Sequence, residues 1–265
     1  MSQRTQQPIA LTIAGSDSGG GAGIQADLKT FASLGVHGTS AITCLTAQNP
    51  KGVRNIQATT PAVLRDQIEA VFDELPPRAV KTGMLFSTPL IRVVTDYFRK
   101  HRKTPLIVDP VMVATSGARL LQPSAIRIIQ KVLLPLATLV TPNLDETAIL
   151  LGWKPESVED LRKAAREVVD TYGCATLIKG GHLETGKEAI DIFYDGRTEL
   201  LLTAPRVRNI STHGTGCTYS AAITGYLALG CDLPHAVELA KEYITQAIAQ
   251  STKTAGHTTL QHFWE

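Results

Sequence analysis

Short apolar runs rich in β-branched residues alternate along the chain with longer segments in which apolar residues recur every three or four positions. The runs are typical of strands buried on both faces, and the longer segments are typical of amphipathic helices. The predicted strands are Ile9–Ala14, Ser40–Thr43, Ala79–Thr82, Leu106–Val108, Thr138–Val140 and Thr176–Ile178. The predicted helices are Ile24–Leu34, Pro61–Glu74, Thr88–His101, Pro123–Leu133, Val158–Tyr172, Thr218–Leu229 and Pro234–Ser251. Because strands and helices alternate, we predict an α/β fold with a mostly parallel central sheet covered by helices on both faces.

A different pattern follows the last of these strands. Ala189–Tyr194 and Thr198–Thr203 are both strand-like and are separated only by Asp195-Gly196-Arg197. This spacing predicts a β-hairpin added antiparallel at one edge of the sheet. No long linker, low-complexity tract or internal repeat interrupts the sequence. We therefore predict a single domain over residues 1–265.

Composition narrows the possible functions. The 265 residues are 43% hydrophobic and 19% charged, which is ordinary for a soluble globular protein. A net charge of +2 without a Lys/Arg cluster argues against a nucleic-acid partner, and no apolar run approaches the roughly 20 residues of a membrane-spanning helix. The cysteines are scattered, which predicts reduced thiols in the cytoplasm. They are Cys44, Cys174, Cys217 and Cys231.

Polar and glycine-rich segments fall at the carboxyl ends of the predicted strands. They are Gly15–Gly23, Thr46–Asn49, Gly83–Met84, Asp109–Met112, Pro142–Glu146 and Lys179–His182. In parallel sheets, ligands bind outside the carboxyl ends of the strands. We therefore expect these segments to line one binding cleft.

The segment from Thr212 to Cys217 is a tight glycine loop that opens directly into a predicted helix. Glycine permits a positive φ and a close approach of the backbone to a ligand. The free N–H groups and the dipole of a first helical turn then form an anion site. Since Cys217 lies where the anion would bind, we predict phosphoryl transfer. The alternative is a glycine-rich turn before a core helix.

Two other glycine-rich segments imitate nucleotide motifs. Gly21–Ala26 matches the dinucleotide fingerprint G-x-G-x-x-A, but no Asp or Glu occurs from Leu28 through Arg65 to hold a ribose. Gly181–Glu188 is similar to a P-loop, but Glu188 stands where a Ser or Thr should hold magnesium. We therefore predict neither NAD binding nor a P-loop.

Eight segments taken together resemble one family, and they span nearly the whole chain. They are Leu11–Asp17, Gly21–Thr30, Leu45–Asn49, Lys81–Met84, Val108–Met112, Leu139–Asn143, Lys179–His182 and His213–Cys217. The chain resembles the ribokinase-like kinases, and among them the hydroxymethylpyrimidine/phosphomethylpyrimidine kinases of thiamin synthesis. The resemblance implies a three-layer α/β/α fold with ATP as co-substrate and Mg²⁺. It also implies phosphorylation of 4-amino-5-hydroxymethyl-2-methylpyrimidine to the monophosphate and then to the diphosphate.

The resemblance further implies roles in phosphate chemistry. Cys217 takes the position of the base, and Lys179 reaches the ATP phosphates. The anion hole and nucleotide site comprise Thr212, Gly214, Thr215 and Gly216. We expect the helix N-terminus to lower the pKa of Cys217. The alternatives are a small buried hydrophobic residue at Cys217 and a solvated strand-end lysine at Lys179.

Asp109 and Glu146 are the carboxylates that the resemblance implies for magnesium, through water because Mg²⁺ keeps part of its hydration shell. Asp109 precedes Pro110, so a turn residue is the alternative. For Glu146, the alternative to a magnesium role is that its negative charge stabilises the first turn of a helix. Asp145 is the second choice for the second carboxylate.

Six residues match the family's substrate pocket. They are Gly15, Asp17, Asp27, Gln48, Met84 and Val111. A ring with an amino group and two ring nitrogens needs both a donor and an acceptor, and the Gln48 amide offers both. Met84 and Val111 are expected to sandwich the ring, with plain core packing as the alternative for Met84.

Two competing functions stay open. A pyridoxal kinase would also phosphorylate a flat ring with a hydroxymethyl group, and a non-catalytic relative would only bind the pyrimidine. The resemblance also leads us to expect a homodimer. Ala255–Phe263 keeps only part of the family's C-terminal segment, so the role of this tail stays open.

Overall fold

The computed structural model describes residues 6–112, 121–181, 183, 188–207 and 213–264. The strands are β1 (Ile9–Asp17), β2 (His37–Asn49), β3 (Gly52–Ala58), β4 (Ala79–Thr82), β5 (Leu106–Val108), β6 (Leu139–Val140), β7 (Ala175–Lys179), β8 (Glu188–Tyr194), β9 (Glu199–Pro205), β10 (Thr252–Thr254) and β11 (His257–Thr259). The helices are α1 (Gly23–Ser33), α2 (Pro61–Glu74), α3 (Thr88–Lys100), α4 (Pro123–Ile128), α5 (Leu144–Leu151), α6 (Val158–Tyr172), α7 (Thr215–Leu229) and α8 (Leu233–Ala249).

Nine strands of the described chain form one sheet in the order β3-β2-β1-β4-β5-β6-β7-β8-β9. The six strands from β2 to β7 in this order are parallel to their neighbours, while β3 and the β8–β9 hairpin pair antiparallel at the two edges. The predicted mostly parallel sheet and its edge hairpin are confirmed. All strands from β1 to β9 belong to this one sheet, and a single domain over residues 1–265 stays a prediction.

Helices cover both faces of the sheet because alternate residues of the central strands point to opposite sides. Leu106 and Val108 pack in the buried cluster that contains the α2, α3 and α4 side chains. Ile107 packs in the cluster that contains the α7 and α8 side chains. The three-layer α/β/α architecture is therefore confirmed. None of the helices in the described ranges is long and apolar enough to span a bilayer.

Three elements were not predicted. The first is β3, which pairs with an extension of β2 and is largely exposed, so it lacks the apolar run of a buried strand. The second is α5, whose N-cap residue Asn143 forms a capping box with Glu146. The third is the β10–β11 hairpin, whose turn residues Ala255 and Gly256 have φ values of +48° and +82°. All three are short or exposed, so apolar periodicity gives little signal for them.

The predicted helix Pro123–Leu133 forms only in part. Its α-helical portion ends at Ile128, and Ile129–Leu133 is a π-helical turn. A short 3₁₀ turn over Leu134–Leu136 follows. The buried side chains of Ile129, Leu133 and Leu134 keep the segment against the core, although its backbone spacing changes.

Candidate active site

The glycine loop before α7 forms a tight turn, as the sequence predicts. Gly214 is the N-cap residue of α7 and has a φ of +83°. A Cβ atom there would overlap the carbonyl oxygen of Gly21, so only glycine fits at this position. The two glycine-rich loops therefore touch at this point, and the start of α7 lies against the loop that precedes α1.

The first turn of α7 lies beside a lysine and a carboxylate. A Cβ atom on Gly216 would lie 3.1 Å from Lys179 Nζ and 3.8 Å from Asp109 Oδ2. The buried hydroxyl of Thr215 has no hydrogen-bond partner among the described residues. Free helical N–H groups, this hydroxyl and the ammonium group together suit a phosphate oxygen. Thr212, which we predicted beside them, lies outside the described residues.

Lys179 and Asp109 form an ion pair at the ends of β7 and β5. Lys179 Nζ lies 3.1 Å from Asp109 Oδ1, and the lysine side chain is only 14% exposed. Ser220 of α7 donates to Asp109 Oδ2 at 3.2 Å. Burial alone would lower the pKa of Lys179, but Asp109 raises it above its usual value, so the ammonium stays protonated. The solvated lysine that we considered as an alternative is therefore excluded.

Glu146 fills the second of the roles that we weighed for it, in the first turn of a helix, while its role as a magnesium carboxylate stays a prediction. It is the third residue of α5, and one carboxylate oxygen accepts from the Asn143 backbone N–H at 3.0 Å. The other oxygen accepts a hydrogen bond from the Met112 N–H at 3.1 Å. The preceding residue, Val111, has a φ of +43°, which is strained for a β-branched residue. Burial and the nearby charge of Asp109 raise the pKa of Glu146 to about 7. Glu146 therefore holds the segment in which Val111 is strained.

The second-choice carboxylate, Asp145, lies in a different environment. Its side chain is 64% exposed and pairs with Lys154 at 2.6 Å. It therefore belongs to the surface of α5, whereas Asp109 and Glu146 are 3% and 2% exposed. Mg²⁺ commonly takes one or two carboxylates and completes its shell with water and phosphate oxygens. The buried pair fits this demand.

Cys217 lies in the first turn of α7, but its expected low pKa is not found. Desolvation raises the pKa of the thiol to about 11, and the positive charge of Lys81 opposes this only in part. A hydrogen bond from the Gly23 backbone also acts to lower it. Our expectation was wrong because it counted the helix N-terminus and left out the cost of burying a thiolate. Cys217 is therefore a neutral thiol at neutral pH.

Asp17 organises the loop between β1 and α1. Its carboxylate accepts backbone N–H groups of Gly19, Gly21 and Ala22 at 2.8, 3.1 and 2.9 Å. His213 Nε2 lies 3.2 Å from Asp17 Oδ2, just before the N-cap of α7. Burial acts to raise the pKa of Asp17, but these hydrogen bonds outweigh it and hold the pKa below its usual value. Asp17 is therefore an ionised anchor between the two glycine-rich loops.

Gln48 reaches the same region from β2. Its amide nitrogen lies 3.3 Å from His213 Nε2, and its amide oxygen lies 3.3 Å from the Thr46 hydroxyl. The strand pairing shifts register between Ala47 and Gln48, which changes the direction of the side chains there. The two polar contacts hold the amide beside His213, just before the start of α7.

Gly15 and Met84 lie together at the carboxyl ends of β1 and β4. A Cβ atom on Gly15 would lie 2.9 Å from both Met84 Cε and Cys44 Sγ. The missing side chain therefore leaves room for the methionine at the base of the cleft. The Met84 carbonyl oxygen accepts a hydrogen bond from Thr43 at 2.7 Å, which fixes this segment.

Asp27 differs most from its predicted role. It is fully buried, and its two oxygens accept from Thr12 and from Lys81, each at 2.6 Å. Because Asp27 is fully buried and both oxygens have partners inside the protein, direct substrate contact is not supported. Burial alone would lower the pKa of Lys81, but Asp27 raises it above its usual value, and Lys81 in turn acts on Cys217. No role was predicted for Lys81 itself. A lysine inside an apolar strand is the sequence signal for a buried, paired charge, and this signal could have identified Lys81.

The three-layer α/β/α fold, with the buried Lys179–Asp109 pair beside the first turn of α7, places the chain in the class of ribokinase-like kinases. A family model of phosphomethylpyrimidine kinase matches residues 17–261. The chain belongs to this family.

The similarity covers nearly the whole chain in several relatives. A hydroxymethylpyrimidine/phosphomethylpyrimidine kinase of Synechococcus elongatus is 46% identical over 97% of this chain and 98% of its own length. The chain spans only about half, 51%, of a bifunctional thiamine biosynthesis protein of Geobacter sulfurreducens, with 46% identity. The crystal structure of phosphomethylpyrimidine kinase from Clostridium difficile matches with a TM-score of 0.82 and 44% identity, covering 91% of this chain and 100% of that one. An ADP complex of Bacillus subtilis pyridoxal kinase matches with a TM-score of 0.89 and 35% identity, covering 97% and 98%.

Proposed function

We propose that this protein transfers the γ-phosphoryl group of ATP to the hydroxymethyl group of 4-amino-5-hydroxymethyl-2-methylpyrimidine, and then phosphorylates the monophosphate to the diphosphate. The observation that carries the proposal is the anion turn Gly214–Cys217 beside the Lys179–Asp109 pair. The relatives named for both kinase steps support the choice of substrate.

The turn and Lys179 would stabilise negative charge on the transferring phosphoryl group. Backbone N–H groups and an ammonium group fixed in advance act most strongly where water is excluded. Asp109 and Glu146 would hold Mg²⁺, which neutralises phosphate charge when bound. Lys179 already neutralises Asp109 without ligands, so the chain keeps the buried carboxylate paired.

Cys217 would accept the proton of the substrate alcohol. Only the thiolate can accept a proton, and Lys81 and the Gly23 backbone N–H are the groups of this chain that stabilise it. The second step starts from a phosphate monoester, which is mostly a dianion at neutral pH because its second pKa is about 6. That step would need positioning and charge neutralisation, but no base.

Ring recognition would fall to Gln48, Met84, Val111 and Gly15, on the side of the cleft formed by β1, β2, β4 and the segment after β5. Gln48 offers a donor and an acceptor, while Met84 and Val111 offer apolar contacts. Asp17 would contribute indirectly, by holding the loop between β1 and α1. Asp27 would also contribute indirectly, by holding Lys81, whose charge acts on Cys217.

Product analysis tests the proposed function. The purified protein is incubated with ATP and Mg²⁺ and with either the pyrimidine or pyridoxal, and the products are identified by mass spectrometry. We expect mono- and diphosphorylated pyrimidine. ATP consumption without a phosphorylated pyrimidine would contradict the proposal, and binding of the ring without ATP consumption would favour a non-catalytic relative.

Pyridoxal kinase activity is the second candidate. It is favoured by the close match to solved pyridoxal kinases, including a complex of the Staphylococcus aureus enzyme with AMP-PCP and pyridoxal at a TM-score of 0.87. The same incubation with pyridoxal alone measures it directly.

We also propose a homodimer in the cytoplasm. The largely exposed strand β3 lies at an edge of the sheet, and such an edge can pair with a second copy of the chain. Light scattering at several concentrations tests the assembly, and cell fractionation tests the compartment.

A further inference from the structure

The C-terminal tail is docked against the helices on one face of the sheet. After the β10–β11 hairpin, the Gln261 N–H donates to the carbonyl oxygen of Ala247, in the last turn of α8, at 3.2 Å. Leu260 and Trp264 pack against the buried cluster that contains the α7 and α8 side chains. The tail is therefore part of the folded layer.

Tyr243 of α8 ties the tail to two helices. Its hydroxyl donates to the carbonyl oxygen of His262 at 3.2 Å and lies 2.6 Å from the hydroxyl oxygen of Ser33 in α1. The Tyr243 and Trp264 ring centroids are 4.8 Å apart. Together with the Gln261 hydrogen bond, these contacts hold the backbone on both sides of His262.

His262 itself reaches the first turn of α7. Its Nε2 lies 3.2 Å from the hydroxyl oxygen of Thr218, and both residues are buried, with His262 5% exposed and Thr218 fully buried. Thr218 follows Cys217, and its backbone N–H donates to the Gly214 carbonyl oxygen at 2.9 Å, which closes the first turn. The tail therefore contacts the residue that closes the anion turn.

The contact does not depend on pH near neutrality. Desolvation lowers the pKa of His262 to about 4, with a smaller contribution from the charge of Lys29. The ring is therefore neutral at working pH, with one nitrogen as donor and the other as acceptor. Either tautomer can hydrogen-bond a hydroxyl group, because the hydroxyl donates or accepts as required.

We propose that His262 is a positioning residue for phosphoryl transfer, which holds the Gly214–Thr218 turn, and with it Cys217, through its hydrogen bond to Thr218. The role rests on the proposed function. The backbone N–H groups of a first helical turn have no partners inside the helix, so side-chain contacts contribute much to its geometry. Small misplacements of a reacting group lower rates steeply, which gives a remote residue a measurable effect.

His262→Ala and His262→Gln test the role kinetically. We expect His262→Ala to lower kcat for alcohol phosphorylation by about three- to tenfold, the size of one neutral hydrogen bond, with KM for ATP and the pyrimidine changed less than about twofold. Glutamine offers a donor and an acceptor at similar reach, so His262→Gln should restore most of the rate. Thr218→Val should reproduce the loss, and combining it with His262→Ala should add little.

A second readout requires no catalytic activity. The rate at which iodoacetamide alkylates Cys217 in the ligand-free protein, measured peptide by peptide, reports the order of the turn. We expect it to rise about threefold or more in His262→Ala, in line with the loss of one hydrogen bond, while the rate at Cys231 stays constant. His257→Ala is the matched control, because it removes the same side chain from the same tail at a residue that pairs with Thr254.

The outcomes separate the possibilities. A lower melting temperature with unchanged kcat and unchanged Cys217 alkylation would show that His262 only supports the scaffold. A defect in His262→Ala that glutamine does not relieve, or an equal defect in His257→Ala, would also overturn the role. If the protein phosphorylates no pyrimidine, the proposed function fails, and the alkylation rates still decide whether His262 orders the turn.

Discussion

The raised pKa of Cys217 predicts how the rate of the first phosphorylation depends on pH. A general base acts only in its deprotonated form, and a pKa of about 11 leaves about 10⁻⁴ of the thiol ionised at pH 7 in the ligand-free enzyme. Since kcat/KM reports the ionisation of the free enzyme, it should rise about tenfold per pH unit. From pH 7 to 9.5 the expected increase for the alcohol is about 300-fold.

The second phosphorylation supplies an internal control. Its nucleophile is already a dianion above pH 7, so kcat/KM for the monophosphate should change little over the same range. The Cys217→Ala variant should lose the pH slope for the alcohol and fall about 10²–10⁴-fold below wild type at pH 9.5, the usual size of a general-base effect. Cys217→Ser should behave similarly, because a serine hydroxyl stays protonated there.

The assay runs each half-reaction separately with MgATP held well below its KM, so that the rate reports the ionisation of the free enzyme. Quenched samples are quantified by mass spectrometry. The pH dependence of Cys217 alkylation gives the thiol pKa independently, with an expected midpoint near 11. A slope that survives in Cys217→Ala would refute the assignment of Cys217 as base. Equal losses in both half-reactions would instead show that Cys217 shapes the turn.

The remaining predictions concern the metal, the ring and the turn. Asp109→Asn and Glu146→Gln should weaken Mg²⁺-dependent turnover far more than pyrimidine binding. Titrating Mg²⁺ against the rate measures the first effect, and calorimetry measures the second. Normal metal dependence in both variants would contradict their assignment as magnesium carboxylates. Gln48→Met should cost the pyrimidine about 1–3 kcal/mol of binding while sparing pyridoxal, and equal losses would show a structural role. Gly214→Ala should destabilise the fold by about 4 kcal/mol or more in chemical denaturation, because its Cβ would overlap Gly21. Gly230→Ala, with a φ of +100° and no atom near its Cβ position, should cost only about 1–2 kcal/mol, and equal losses would contradict the overlap.

The sequence alone determined the layered fold, the edge hairpin and the anion turn. These features follow from local patterns, since an alternation of apolar runs and amphipathic segments leaves few ways to bury both. The turn from Gly214 to Cys217 is equally local, because glycine spacing and the helix that follows predict an anion site within these four residues. The position of Lys179 and Asp109 after buried strands was also sufficient to place them at one edge of the sheet.

Only the tertiary structure decided what each of these side chains faces. Asp27 was predicted at the substrate, but it lies buried against Lys81, 54 positions away in the sequence. Cys217 was expected to be acidic, but desolvation by surrounding groups outweighs the helix end. His262 reaches Thr218 across 44 positions. Burial, ion pairing and the resulting pKa values depend on which distant groups meet in space. The sequence therefore predicts which residues belong to the candidate site, but not the electrostatic environment of each one.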